Sequence, residues 1–94
     1  MKLISVSAST NPKKKLMAIF EVDKKMKTVH FGSKDSSDFT KSGDEKAKAN
    51  YLARHRVRED WTDPLTAGAL SRFILWNKST LRESIADFKK RFNL

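Results

Sequence analysis

The chain has no cysteine among its 94 residues. This excludes a disulfide-stabilised scaffold, a thiolate metal site and a cysteine nucleophile. The two histidines, His30 and His55, show no metal-ligand spacing, so we expect no metal and no other cofactor. Glycine-rich phosphate loops and the Gly-x-Ser-x-Gly motif of hydrolases are missing as well. The sequence therefore predicts a protein that is not an enzyme.

Carboxylates are grouped closely at one place, where Glu59, Asp60 and Asp63 follow one another. Three acidic side chains can in principle hold Mg²⁺ in a nuclease-like site. Their position between two helical segments favours helix capping and local ion pairs instead. We therefore predict no metal site here.

Long hydrophobic runs are also lacking. The apolar segments fall far short of the roughly 18–20 residues that a membrane-spanning helix needs. Residues 1–8 hold too short an apolar stretch for a secretory signal. We expect a soluble protein that is not secreted and has no membrane partner.

Positive charge is what the chain has in excess, with 20 Lys+Arg against 11 Asp+Glu and a formal net charge of +9. Residues 1–34 carry a net charge of +6, residues 35–63 carry −1, and residues 64–94 carry +4. Such a balance favours a polyanionic partner, attracted at long range and in a salt-dependent way. The sequence thus indicates binding to nucleic acid, with DNA favoured over RNA.

Strand patterns occupy the N-terminal third. Residues 16–22 alternate, with Leu16, Ala18, Phe20 and Val22 on one face, and residues 27–31 form a second β-rich run before Gly32. A polar reversal at residues 23–26 joins them into a hairpin, and residues 2–7 can add a third strand through a turn at residues 9–12, so the β unit is predicted to be either a hairpin or a three-stranded meander. A hairpin is marginal alone, so the sheet must rest on other elements.

Helical patterns follow a loop at residues 33–43. Asp44 caps a predicted helix over residues 45–58, and Asp63 and Pro64 start a second, largely apolar helix. Thr80 and Glu83 form a capping box that opens a third helix, which ends near residue 92. The prediction is a single α+β domain over residues 1–94: a β unit at 1–32, a loop at 33–43 and a three-helix part at 44–92.

An ordered set of segments resembles a known family: Thr28-Val-His-Phe-Gly-Ser33, Asp38-Phe-Thr40, Tyr51-Leu-Ala-Arg-His-Arg56, Arg58-Glu-Asp-Trp-Thr-Asp-Pro64, Thr66-Ala-Gly-Ala-Leu-Ser-Arg72 and Ile74-Leu-Trp-Asn-Lys78. It is similar to small basic proteins of unknown function from large DNA viruses of eukaryotes, the giant-virus and algal-virus group. The resemblance covers residues 28–92, and residues 1–15 match less well. It implies a place in the virion or the infected host cell, in cytoplasm or nucleus, and it implies no activity.

The predicted nucleic-acid-binding residues are cations from three parts of the chain. They are Lys13, Lys14, Lys15, Lys24, Lys25 and Lys27 of the β unit, Arg54 and Arg58 on one face of the first long helix, and Lys89, Lys90 and Arg91 of the last helix. Other roles stay open for each group: the lysines can protect strand edges, the arginines can pair with Glu59, Asp60 or Asp63, and the last three can complement a helix dipole.

Aromatic side chains could add base stacking to these contacts. Trp61 and Trp76 lie beside helix caps and apolar stripes, so we expect them in the core, whereas Phe39 in a polar loop is expected to be exposed. Low-specificity binding to the phosphate backbone is the predicted function, with packaging or protection of a viral genome as its role. The alternative is a virion structural or adaptor protein that binds an acidic protein surface or forms a homodimer through an apolar helix face.

Overall fold

The computed structural model describes residues 1–35 and 37–94, and it has the predicted α+β architecture. Three strands come first: β1 (Lys2–Ala8), β2 (Lys14–Val22) and β3 (Lys25–Ser33). They form one antiparallel sheet in the order β1-β2-β3. Of the two predicted forms of the β unit, a hairpin or a three-stranded meander, the structure has the meander.

The β2–β3 hairpin turns more tightly than predicted. β3 begins at Lys25, because only Asp23 and Lys24 form the turn and both have positive φ, at 51° and 66°. Two-residue turns of this kind match the right-handed twist of paired strands. Because the turn fixes the register, Ala18 faces Val29 and Leu16 faces Phe31, which puts the predicted apolar residues on one inner face.

Within residues 1–35 and 37–94, four α-helices and one π-helical turn follow the sheet. They are α1 (Phe39–Ser42), α2 (Glu45–His55), α3 (Ala67–Leu70) with the π-helical turn Ser71–Leu75 directly after it, and α4 (Leu81–Phe92). Helix α1 was not predicted and lies in the segment expected to be a loop. None of these helices has the length and apolarity needed to cross a membrane.

Helix α2 ends three residues before its predicted end at residue 58. The three residues directly after His55 are exposed, and the apolar side chain among them, Val57, is 76% exposed. Since the stability of a protein helix comes mainly from packing of its apolar face, the helix ends there. Arg58 consequently lies outside the helix, and the predicted shared face with Arg54 is wrong.

The second predicted helix starts at Ala67 and not at Pro64. The Asp63 carboxylate accepts a hydrogen bond from the Leu65 N–H, and this closes a local turn before the helix. Thr66 is the cap, because its hydroxyl accepts from the Ala69 N–H at 3.1 Å. The predicted cap at Thr80 is confirmed, since its hydroxyl accepts from the Glu83 N–H at the start of α4.

The core lies between the inner face of the sheet and the C-terminal helices. Phe20 and Phe31 of the sheet are fully buried, and so are Ile74 of the π-helical turn and Phe88 of α4. The rings of Phe20 and Phe88 lie 6.4 Å apart between centroids. Burying each such side chain contributes roughly 1.5–3 kcal/mol, so this contact is a main link between the two halves of the fold.

Candidate anion-binding cavity and basic surface

Two basic ends of the sheet follow from the hairpin register. Lys13 and Lys14 lie where β2 begins, and the Lys34 N–H donates to the Lys13 carbonyl at 3.1 Å, so Lys34 joins them. Lys24 and Lys25 lie at the turn, at the other end. A nine-residue strand is about 30 Å long, so the two ends are too far apart to bind one phosphate group. They can contact one nucleic acid at separated phosphates.

Lys34 was missed by the sequence analysis because it belongs to a polar loop. The signal was nevertheless present in the hairpin. When Asp23 and Lys24 form the turn, Val22 pairs with Lys25. The pairs that follow along the two strands lead to Lys14 opposite Ser33. One further step brings Lys34 beside Lys13. An accurate turn prediction would therefore have placed three lysines together.

Lys15 departs from the rest of the predicted binding set. Its ammonium lies 2.6 Å from a carboxylate oxygen of Asp38, and the two side chains are only 16% and 7% exposed. The same Asp38 caps α1 by accepting a hydrogen bond from the Lys41 N–H. Because Asp38 matches its charge inside the protein, Lys15 is less available to a surface ligand than the exposed lysines of the set.

A cavity of about 500 Å³ opens where the Lys14 end of the sheet meets α2 and α3. We call it the sheet-end cavity. Its charged and ionisable lining comes from Lys14, Lys15, Asp38, Tyr51, Arg54, His55 and Glu59. The fold therefore brings Lys14 and Arg54, 40 positions apart in the sequence, to the same opening.

The carboxylates of the cavity already have partners. Asp38 is held by Lys15. Glu59 lies 3.0 Å from Nδ1 of His55 with one oxygen and accepts from Nε1 of Trp61 at 2.8 Å with the other. Asp60 and Asp63 accept hydrogen bonds from Thr62 and Leu65. Among the described residues none of the three acids forms an ion pair with an arginine, so the alternative role left open for Arg54 and Arg58 is not seen. No group of three metal-ligating side chains occurs among these residues either.

Three stacked rings form one wall of the cavity. The Tyr51 ring lies 4.5 Å from that of Trp76 and 4.2 Å from that of His55, both nearly parallel to it. Two rings cannot share one face at these separations, so both faces of Tyr51 are covered. Trp61 and Trp76 are half-buried and pack against the core, as expected. Phe39 is buried at 5% exposure with the Lys48 ammonium 4.7 Å from its ring centroid, so the expectation of an exposed Phe39 is wrong.

Burial of Tyr51 has a measurable consequence. Desolvation, helped by the negative charge of Glu59, raises the pKa of Tyr51 from 10.0 to about 12, although Arg72, Ser71 and Arg54 act in the opposite direction. The phenol therefore stays protonated at neutral pH. It can donate a hydrogen bond at the edge of the cavity.

Tyr51 is the only tyrosine, so its titration can be followed without interference. We expect the tyrosinate absorbance of the folded chain to rise with a midpoint near pH 12, against about 10 in denaturant. The folded state holds the proton of Tyr51 more tightly than the unfolded state does. The stabilisation that results is therefore complete below pH 10 and is lost between pH 10 and 12. Circular dichroism at each pH checks that the chain is still folded. A folded-state midpoint at 10 would contradict the burial of Tyr51.

The cations of α4 differ from one another in their surroundings. Lys89 and Lys90 are exposed. Arg91 pairs with Asp87 at 3.2 Å and lies over the Phe73 ring, so part of its charge is already matched. Although burial acts to raise it, hydrogen bonds from Asn77 and Arg91 hold the pKa of Asp87 below its usual value. Of this predicted group, Lys89 and Lys90 remain freely available.

Arg72 is a further cation that the sequence analysis did not select. It is half-buried between the rings of Trp61 and Phe73 and donates to the Trp76 carbonyl. Burial lowers the pKa of Arg72, with a further effect from the nearby charge of Arg91. These contacts tie the π-helical turn to its neighbours, which is a role in packing.

Comparison with known protein families gives a match to the N-terminal half of the chain. The sequence model of a family described as a family of unknown function, DUF5754, matches residues 4–55. This range includes almost all of the sheet together with α1 and α2. The resemblance found in the sequence covered residues 28–92, whereas the family match also includes residues 4–27. No curated protein and no solved structure matches the chain.

Proposed function

Since the chain belongs to DUF5754, a family of unknown function, its structure is the basis for a proposal, and we propose that it binds nucleic acid through the phosphate backbone without catalysis. One observation carries the proposal: most of the 20 lysines and arginines are exposed, and within the described part of the chain only Lys15 and Arg91 form ion pairs with a carboxylate. Unmatched surface cations bind phosphate by releasing condensed counterions.

The arrangement of the cations favours a long ligand over a compact one. Lys13, Lys14 and Lys34 lie at one end of the β2–β3 hairpin, and Lys24 and Lys25 lie about 30 Å away at the other. This distance corresponds to about nine base pairs of duplex, so a single polyanion can reach both ends. Backbone contacts of this kind position a protein on nucleic acid without reading sequence.

The viral setting suggested by the sequence gives the proposal a context. A small, strongly basic protein of a large DNA virus would package or protect the genome, in the virion or in the infected cell. DNA is then the favoured ligand. Low sequence specificity suits such a role, because a packaging protein must bind along the whole genome.

The alternative of an adaptor or virion structural protein has less support from the structure. Its main motivation was an apolar helix with more hydrophobic surface than one chain covers. Leu70, Phe73, Ile74 and Leu75 of that helical segment are buried within the chain itself. Among the residues that the structure describes, the large hydrophobic ones that stay exposed are Met1, Ile4, Met26 and Val57, two of them near the N-terminus and none in the C-terminal helices. Binding to an acidic protein surface is the form of this alternative that uses the same cations.

A salt titration tests the proposal. If four to six phosphates are neutralised, the slope of log affinity for a DNA duplex against log salt concentration should be about −3.5 to −5.5. Replacing Lys13, Lys24 and Lys25 by Gln should make the slope shallower by about 0.9 for each lysine that contacts a phosphate. Fluorescence anisotropy with a labelled duplex at several salt concentrations gives both values.

The matched control removes three lysines that lie outside the sheet and are also exposed, Lys41, Lys46 and Lys78. It has the same net charge as the first variant. Equal slopes for the two variants would indicate attraction by net charge alone. A flat titration of the unaltered chain would exclude nucleic-acid binding of this kind.

A further inference from the structure

The sheet-end cavity differs from the other cationic regions because it is concave. Its volume of about 500 Å³ lies in the range of pockets that enclose a small ligand or a terminal group. A nucleic-acid backbone passing over the surface does not fill such a space. The cavity therefore calls for a ligand group that ends inside it.

Two cations of the cavity remain unmatched. Lys14 comes from the start of β2 and Arg54 from the last turn of α2, so they reach the cavity from different elements. Neither has a carboxylate within ion-pair distance among the described residues. The cavity carboxylates are occupied, Asp38 by Lys15 and Glu59 by His55 and Trp61. A ligand with about two negative charges would satisfy what is left.

Hydroxyl groups supply the remaining polar contacts. Ser33, Ser37 and Ser71 line the cavity together with the phenol of Tyr51. Hydroxyls can donate to the acceptor oxygens of a phosphate, while the planar guanidinium of Arg54 can bind two of these oxygens at once. The lining thus combines charge and hydrogen-bond donors for a tetrahedral oxyanion.

We propose that the sheet-end cavity binds a terminal phosphate, a phosphate monoester, held between Lys14 and Arg54. A monoester carries about −1.5 to −2 charges at neutral pH and three terminal oxygens, whereas each backbone diester carries one charge and no free end. The ligand is the phosphorylated end of a polynucleotide or a free nucleotide. This inference rests on the proposed function, because it assigns one part of the same basic surface to the end of the strand.

The stacked rings of Tyr51, Trp76 and His55 determine whether the base of the terminal nucleotide can contribute to binding. Both faces of Tyr51 are covered, by Trp76 and by His55, so no base can insert against this residue. The ring wall gives shape to the cavity and keeps Tyr51 in place. Recognition should therefore depend on the phosphate and be indifferent to the identity of the terminal base.

The test compares two single-stranded oligonucleotides of one sequence, labelled at the 3′ end and bearing either a 5′-phosphate or a 5′-hydroxyl. We expect the full chain to bind the phosphorylated one about ten-fold more tightly, the effect of one or two charge-assisted hydrogen bonds. Changing the terminal base should leave this ratio within about two-fold. Fluorescence anisotropy at fixed salt measures both affinities.

Substituted chains locate the effect. Lys14→Gln with Arg54→Gln should bring the affinity ratio to about one. The matched control, Lys24→Gln with Lys25→Gln, removes the same charge from the far end of the sheet and should weaken both oligonucleotides while keeping the ratio. All four side chains lie at the surface or the cavity rim, and circular dichroism confirms folding.

The outcomes separate this inference from the proposed function. If both oligonucleotides bind with a steep salt dependence but equal affinity, the terminal-phosphate site is excluded and backbone binding stands. If neither binds, both fail. A ratio that survives in the Lys14 and Arg54 variant would also exclude the site. Competition by adenosine and cytidine 5′-monophosphate distinguishes the two possible ligands. If these nucleotides displace the oligonucleotide at a concentration similar to its own, the ligand is a free nucleotide. If they displace it only at a much higher concentration, the ligand is the phosphorylated end of a strand.

Discussion

Replacing Phe20 by Ala should lower the free energy of unfolding by about 3–5 kcal/mol, the largest loss expected from a single core substitution. Phe20 is fully buried on the inner face of β2 and contacts the Phe88 ring of α4. Its removal leaves a cavity between the sheet and the C-terminal helices, whose rigid neighbours cannot fill it. Urea denaturation followed by circular dichroism measures the change.

Ile19→Ala is the matched control, one residue earlier in the same strand. Ile19 points to the outer face, which the core cluster does not include, and it is only half-buried. We expect a loss of about 1 kcal/mol. Equal losses at the two positions would mean that both faces of the sheet are covered, which a second copy of the chain could do. Comparing the stability losses of the two variants therefore shows whether only the inner face of the sheet is packed against other elements.

Replacing Asp38 by Asn should cost about 3 kcal/mol, although the two side chains have nearly the same shape. Asn keeps the cap of α1, because its oxygen can still accept from the Lys41 N–H. What it loses is the negative charge beside Lys15, whose side chain is 16% exposed. An ammonium without a partner in that position is poorly solvated. The same urea experiment gives the loss.

Two further variants isolate the ion pair. Asp44→Asn changes another capping aspartate, at the exposed start of α2, and should cost less than about 0.5 kcal/mol because no buried cation depends on it. Combining Lys15→Met with Asp38→Asn removes both charges and should recover most of the loss. If the double variant is as unstable as Asp38→Asn, the loss does not come from the unpaired lysine.

The sheet could be predicted from the sequence because its signals are local. Alternation from Leu16 to Val22 defines the inner face, and this face is buried as expected. The turn was predicted too long, since Asp23 and Lys24 are not the Asn-Gly or Asp-Gly pair that usually marks a two-residue hairpin turn. That error hid the neighbourhood of Lys34 and Lys13.

The ends of the helices depended on contacts that are less visible in a sequence. Asp63 and Pro64 form a good helix start in isolation, yet the Asp63 side chain closes a turn and leaves Thr66 as the cap. Phe39 lies in a polar segment, but Asp38 starts a short helix there and turns the ring inward. In both cases the side chain of an aspartate accepts a hydrogen bond from a nearby backbone N–H, and this bond determines where the helix begins.

The candidate cavity was beyond prediction for a different reason. Lys14 and Arg54 belong to a strand and a helix that lie 40 positions apart in the sequence, and no local pattern relates them. Lys15 and Asp38 were equally unrelated in the sequence, although their pair links the N-cap residue of α1 to β2. The charge composition predicted a basic surface. Which of the neighbouring lysines are buried and which are free depends on how the folded chain packs.

The irregular register of β1 has a consequence for crowded molecules. Between Leu3 and Ser5 the pairing with β2 shifts, which marks a bulge in an edge strand. A bulged edge offers no continuous row of N–H and C=O groups, so a neighbouring strand cannot extend the sheet there. On β3, the opposite border, this protection comes from Lys25 and Lys27, whose charges a bound polyanion would mask. Copies of the chain that are packed closely together would therefore keep the β1 border closed by its shape alone, and growth of a continuous fibril through that border is blocked even where the lysine charges are neutralised.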